Sequence, residues 1–251
     1  MTTDTRKEFL EKARLPHNER VGSNWLGRDF YVALEGVIGV GKTSLTRMLQ
    51  YRWGCEGIFE GCEQNPFLTR GFYQDQKTHG FNTEIFFLLT RFRQQEPLAQ
   101  FEGSLVSDYL FQKNWVFAQM NLSGTDLDIF KITYDNFIKH VRQPDLVVLL
   151  EADLETILRR IYFRDREFER SLSAAYIEKL SAEYYRYFSG FDASHVLRIN
   201  TCGMDFVQDP QDFLKVANAI EERLKGVRQL RLEQGRERNP TPHASTLATS
   251  V

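Results

Sequence analysis

Several residue types are scarce or missing in this 251-residue chain, and each gap narrows what it can be. Three cysteines, Cys55, Cys62 and Cys202, form neither a C-x-x-C pair nor a zinc spacing. That excludes a disulfide scaffold and a zinc ribbon, and it predicts reduced thiols in a cytoplasmic protein. Neither sign of charge dominates: 32 Lys and Arg stand against 34 Asp and Glu, a formal net charge of −2, so no basic field marks a nucleic-acid polymer as partner. No apolar run approaches the ~20 residues of a bilayer-spanning helix, so no membrane partner is expected. Asp4, Glu8 and Glu11 interrupt the basic N-terminus, which is unlike a signal or transit peptide. His17 and His243 lie near the chain ends, and His79, His140 and His195 are far apart, so no metal constellation of histidines is predicted.

What is abundant points to a packed α/β domain. Apolar residues make up 42% of the chain, with 20 Phe and 10 Tyr as large packing groups. Short apolar runs alternate with helical patterns. Strands are predicted at 31–35, 57–60, 104–107, 146–150 and 196–199. Helices are predicted at 43–53, 83–95, 111–120, 126–142, 154–163, 174–188 and 212–224. That alternation predicts a parallel sheet flanked by helices, with ligands at the carboxyl ends of its strands. Residues 1–27 read as a polar extension, 28–226 as the domain, and 227–251 as a disordered tail.

The most informative stretch runs from Gly36 to Thr43. It fits G-x-x-x-x-G-K-[ST] without mismatch, between a short apolar strand and an amphipathic helix. Gly36, Gly39 and Gly41 let successive backbone N–H groups turn inward on a phosphate chain, and the helix N-terminus, with Ser44, adds partial positive charge. Lys42 is placed to reach the β- and γ-phosphates, and the Thr43 hydroxyl to hold Mg²⁺. The motif predicts a nucleoside triphosphate ligand. Downstream, Arg160, Arg164 and Arg166 suit a lid that clamps a transferring phosphoryl group; the plainer reading is a solvated face paired with Asp165, Glu167 and Glu169.

A set of ordered segments resembles the deoxynucleoside kinase family, and most of all its bacterial deoxyguanosine/deoxyadenosine kinase branch. They are Glu35–Thr43, Asn65-Pro-Phe-Leu68, Phe72-Tyr73, Phe81–Leu88, Ser107-Asp-Tyr109 through Phe117-Ala118, the arginine segment, and Asp205-Phe-Val-Gln208. The resemblance covers about residues 29–225. It implies a P-loop kinase fold with a five-stranded parallel sheet, a homodimer, a deoxynucleoside substrate, and ATP with Mg²⁺ as donor. It makes Glu60 the catalytic base, a role that also suits a carboxylate at a strand's carboxyl end. Tyr73 and Glu169 become the grip on the sugar 3′-hydroxyl.

The resemblance also places Glu84 where many relatives carry a base-reading glutamine. An ionised carboxylate only accepts hydrogen bonds, so it matches the adjacent N1–H and N2–H₂ donors of guanine. Arg91, seven residues along the same helix, or Lys113 is then the expected donor to guanine O6. The alternative is that Glu84 simply pairs with one of these cations. One departure stands out: many relatives end the third strand with acidic–Arg–Ser, whose arginine steadies the catalytic carboxylate. Here the segment reads Ser107-Asp108-Tyr109, and Asp108 is either a water-mediated Mg²⁺ ligand or a turn residue.

Overall fold

A computed structural model of the chain describes residues 20–22, 24–69, 71–191 and 195–238. Five strands, β1 (Tyr31–Glu35), β2 (Glu56–Ile58), β3 (Leu105–Ser107), β4 (Leu146–Glu151) and β5 (Val196–Asn200), form one sheet in the order β2-β3-β1-β4-β5. Every pairing is parallel, and Ala33 at the centre faces Ser107 on one side and Val147 on the other. The expected fold class is the observed one. Strands β1 and β3 are buried throughout and β4 up to its last residue, as apolar runs covered on both faces must be. The edges differ: Glu56 of β2 and Arg198 and Asn200 of β5 are exposed, which keeps both edges polar.

Helices fill the crossovers: α1 (Lys42–Trp53), the single turn α2 (Pro66–Thr69), α3 (Gln76–Gln95), α4 (Lys113–Asn121), α5 (Gly124–Phe137), α6 (Leu154–Arg164), α7 (Ala174–Phe188) and α8 (Pro210–Arg238). Because β1 connects toward β3 on one side and β4 on the other, a crevice opens at the carboxyl end of β1. Among the described residues, no helix is long and apolar enough to cross a membrane.

Three expected boundaries need correction. Helix α3 begins seven residues before Thr83, because the Asp75 carboxylate accepts the Thr78 N–H and caps it there. Packing begins before residue 28: Leu26 is buried, and Trp25 stacks on Trp53 at 6.2 Å and meets Phe30 edge-on at 5.6 Å. Helix α8 continues past residue 227 to Arg238. It is tied to α1 through Glu221, which accepts from Arg52 Nε at 2.7 Å and Trp53 Nε1 at 2.9 Å. The rest of the expected tail and residues 1–19 lie outside the described residues.

Candidate active site

The loop between β1 and α1 takes the shape its glycines require. Gly41 sits at φ 108°, and a Cβ there would lie 2.7 Å from the Phe206 ring. That contact explains why Asp205-Phe-Val-Gln208 accompanies the loop. Helices α3, α6 and α7 are capped by the side chains of Asp75, Asp153 and Ser173, whereas α1 follows left-handed Gly41 with no side-chain cap. Its first N–H groups are therefore left to an anion. Lys42 Nζ donates to Gly36 O at 2.5 Å and Val37 O at 3.0 Å. Desolvation, with the nearby Lys113 charge, lowers its ammonium to about 8. Lost hydration of this kind is what a phosphate restores.

A cleft of about 540 Å³ opens from this loop. Gly39, Gly41, Lys42, Thr43 and Ser44 line one end; Glu60, Tyr73, Arg91, Asp108, Lys113, Arg164, Arg166 and Glu169 line the remainder. One cleft thus gathers residues from seven separate segments. Gly36 sits beneath the loop, and Arg160 and Glu84 are not on the cleft wall.

Glu60 lies two residues beyond β2. Its backbone N–H donates to Asp108 Oδ1 at 2.7 Å, and Asp108 Oδ2 accepts the Thr43 hydroxyl at 2.6 Å. Asp108 therefore joins the end of β3 to both the β2 loop and the start of α1. Arg91 binds the Glu60 carboxylate through Nε at 2.7 Å and through a second guanidinium nitrogen, and Lys113 Nζ lies 3.1 Å from its other oxygen. Desolvation pushes the Glu60 acid up, but the charges of Arg91, Lys113 and Lys42 overcome it and hold the group well below the usual carboxylate range. The expected polarity is corrected here: Arg91 and Lys113 serve Glu60, not Glu84. Arg91 thus reaches Glu60 from helix α3, where no arginine follows β3.

Glu84 is buried at 2% exposure. Asn121 Nδ2 donates to its Oε1 at 2.8 Å, while Oε2 has no hydrogen-bond partner among the described residues. Desolvation raises its acid to about 7, against the lowering effect of Asn121, Arg91 and Lys113. Phe111 is buried against Tyr134 at 6.0 Å, whereas Phe87 and Phe117 lie on the cleft wall.

The arginine segment divides. Arg160 is a staple, not a clamp: its guanidinium donates to Val40 O, Thr201 Oγ1, Thr201 O and Met204 O, each at 3.0 Å. It locks the P-loop to the turn after β5, which corrects the three-arginine lid. Arg164 and Arg166 do reach the cleft. Arg164 binds buried Glu169 at 2.6 and 2.7 Å, and Arg166 bridges to Glu63 on the opposite rim at 2.9 Å. Left-handed Asp165 (φ 46°) turns the chain between them.

Sequence reasoning assigned no role to Glu35. This fully buried carboxylate ends β1 and accepts from Gly36 N, Leu110 N and the Tyr184 hydroxyl at 2.9, 2.9 and 3.0 Å. It ties the P-loop to α7 and to the segment after β3. A lone acid closing an otherwise apolar strand was the available signal.

With the cleft described, comparison with known proteins decides the family. The deoxynucleoside kinase family model matches residues 32–225. The chain belongs to the deoxynucleoside kinase family. This kinase is 32% identical over 200 residues to deoxyguanosine kinase of Bacillus subtilis (strain 168), covering 76% of this chain and 96% of that one. It is also 32% identical over 197 residues to the deoxyadenosine/deoxycytidine kinase of the same organism, covering 75% and 90%. A structure of deoxyadenosine kinase from M. mycoides with bound dATP superposes with a TM-score of 0.66 at 21% identity, covering 76% of this kinase and 99% of that chain. The chain is thus a phosphotransferase acting on deoxynucleosides, and relatives of similar identity differ in the base they take.

Proposed function

We propose that this kinase transfers the γ-phosphoryl group of ATP to the 5′-hydroxyl of a purine deoxynucleoside, with deoxyguanosine preferred. The observation that carries the reading is Glu60: a carboxylate fixed by two cations, in the same cleft as Lys42.

The P-loop N–H groups and Lys42 hold the triphosphate. The Thr43 hydroxyl and Asp108 carboxylate, hard oxygens at the loop, would hold Mg²⁺, which would supply charge neutralisation to the phosphates. Tyr73 and Glu169, both on the cleft wall, take the sugar 3′-hydroxyl. Glu60 accepts a hydrogen bond from the 5′-hydroxyl and orients it in line with the γ-phosphorus. A carboxylate held this far down is a weak base, so the proton passes to Glu60 late, as the new P–O bond forms and the bond from the γ-phosphorus to ADP breaks, as a loose transition state permits. Arg164 and Arg166 exchange Glu169 and Glu63 for the equatorial oxygens of the transferring group. Glu84 accepts the N1–H and N2–H₂ of guanine, which supply the partner its open oxygen lacks. The apolar face of α5, where Ile129 and Ile132 are 46% and 65% exposed, is the surface for a homodimer.

The test is steady-state phosphorylation of each deoxynucleoside and its ribose counterpart with ATP and Mg²⁺. The reading expects deoxyguanosine to lead in kcat/KM. A lead for deoxycytidine or thymidine overturns the purine assignment, and no turnover with any nucleoside overturns the reaction.

A further inference from the structure

Glu84 is surrounded as few ionised acids are. One oxygen takes the Asn121 amide; the other is buried without a partner among the described residues. The Tyr176 hydroxyl lies near enough to Asn121 for that side chain to lower it, yet neither it nor Asn121 Oδ1 makes a hydrogen bond of good geometry among the described residues. Three helices, α3, α4 and α7, thus bring unsatisfied polar atoms together at one buried place. The charged and titratable groups around Glu84 are Arg91 on its own helix, Lys113 on α4, Tyr176 on α7, Tyr73 before α3, and Glu60 after β2. Both cations in that set are bound to Glu60. Arg91 and Lys113, already engaged by Glu60, offset only part of the cost of a charge on Glu84, and a buried carboxylate compensated in part takes a proton more readily.

The chemistry of the two forms differs. The anion offers two acceptors. The neutral acid, with Oε1 already fixed by Asn121, presents a donor at its free oxygen, much as a glutamine amide does. We propose that Glu84 reads the base with an optional proton: ionised, it accepts the paired N1–H and N2–H₂ of guanine; protonated, it donates to N1 of adenine, so pH sets which purine this kinase prefers. Adenine binding takes up a proton at Glu84 from solvent, and guanine binding releases one. This rests on the reading of Glu84 as the base-facing residue: it shares helix α3 with Phe87 and Arg91 of the cleft wall, and it meets a base once the cleft opens to admit one. It turns the preference for deoxyguanosine into a property of the ionised form alone.

The test measures kcat/KM for deoxyguanosine and deoxyadenosine from about pH 5.5 to pH 8, with ATP and Mg²⁺ in excess. The deoxyguanosine-to-deoxyadenosine ratio is expected to rise about tenfold per pH unit across the range, as one proton dictates, with kcat/KM for deoxyguanosine levelling above the Glu84 inflection and that for deoxyadenosine levelling below it. Glu84→Gln, which is always a donor and an acceptor, is expected to give a flat ratio. Calorimetry of each nucleoside in two buffers of different ionisation enthalpy gives a second readout, with proton uptake for deoxyadenosine and release for deoxyguanosine. Turnover of both purines at a ratio constant within twofold overturns the optional proton while leaving the kinase reading intact, as does a slope that survives Glu84→Gln. If neither purine is phosphorylated at any pH, the purine reading beneath it fails as well.

Discussion

Glu60 and Glu84 are two buried glutamates facing the same helix, and their surroundings drive them apart. Glu60 sits between Arg91 and Lys113, and burial is outweighed by their charges, so it stays ionised. Glu84 has an amide on one side and an empty hydrogen-bonding position on the other, and burial wins. The same residue type is thereby suited to the two jobs proposed for it: a fixed anion to orient a hydroxyl, and an adjustable acid to meet a base. Separation of this kind is how one site assigns roles to identical groups. Arg91 is the arbiter, since whichever carboxylate it contacts keeps its charge.

The largest effect expected from breaking this arrangement is at Glu60. Glu60→Gln keeps the shape but loses the negative charge and the proton-accepting carboxylate, and kcat is expected to fall by about 10²–10⁴-fold with a much smaller change in KM, measured by steady-state kinetics. Next comes Arg91→Met. It removes one of the two cations that hold the partly buried Glu60 carboxylate and is expected to destabilise the fold by about 1.5–3 kcal/mol in urea unfolding; the double variant Glu60→Gln/Arg91→Met should recover part of that loss.

A smaller effect sharpens the contrast through pH. The folded Glu84 acid, at about 7, lies above its unfolded value, so the native state holds the extra proton between the two. Its contribution to stability is full below the unfolded carboxylate pKa of about 4.3 and is lost as pH rises through the folded value. Wild type is therefore expected to lose roughly 2–4 kcal/mol relative to Glu84→Gln between about pH 4.5 and pH 8, read from paired urea titrations. Glu60 runs oppositely: its contribution is present above the unfolded pKa and is lost only in strong acid. The smallest effect belongs to the lid. Glu63 is 57% exposed against Arg166, so Glu63→Gln should change unfolding free energy by less than about 1 kcal/mol.

The sequence made the central βα unit legible because the P-loop is local: strand, glycines and helix lie within 23 residues, from Tyr31 to Trp53. Strand positions followed for the same reason, since buried parallel strands are short, nearly unbroken apolar runs. Glu60 and the family were legible through ordered motifs. The partners of Glu60 were not, because Arg91 is 31 residues away and nothing local says which of two acids it meets. Arg160 misled for a related reason: helical spacing puts it on the face of Arg164, but its length lets it reach back to Val40 and Thr201. The early start of α3 was signalled by Asp75, a capping acid three residues before Thr78. Asn121 and Tyr176 acquire meaning only once α4 and α7 converge on Glu84.

The contrast between the two glutamates is tested most directly by following their side-chain carboxyl ¹³C shifts from about pH 5 to pH 9, with Glu60→Gln and Glu84→Gln supplying the assignments. The account predicts that Glu84 inflects near neutrality while Glu60 stays ionised and flat. A Glu84 that is ionised throughout, or a Glu60 that titrates in this range, would contradict it.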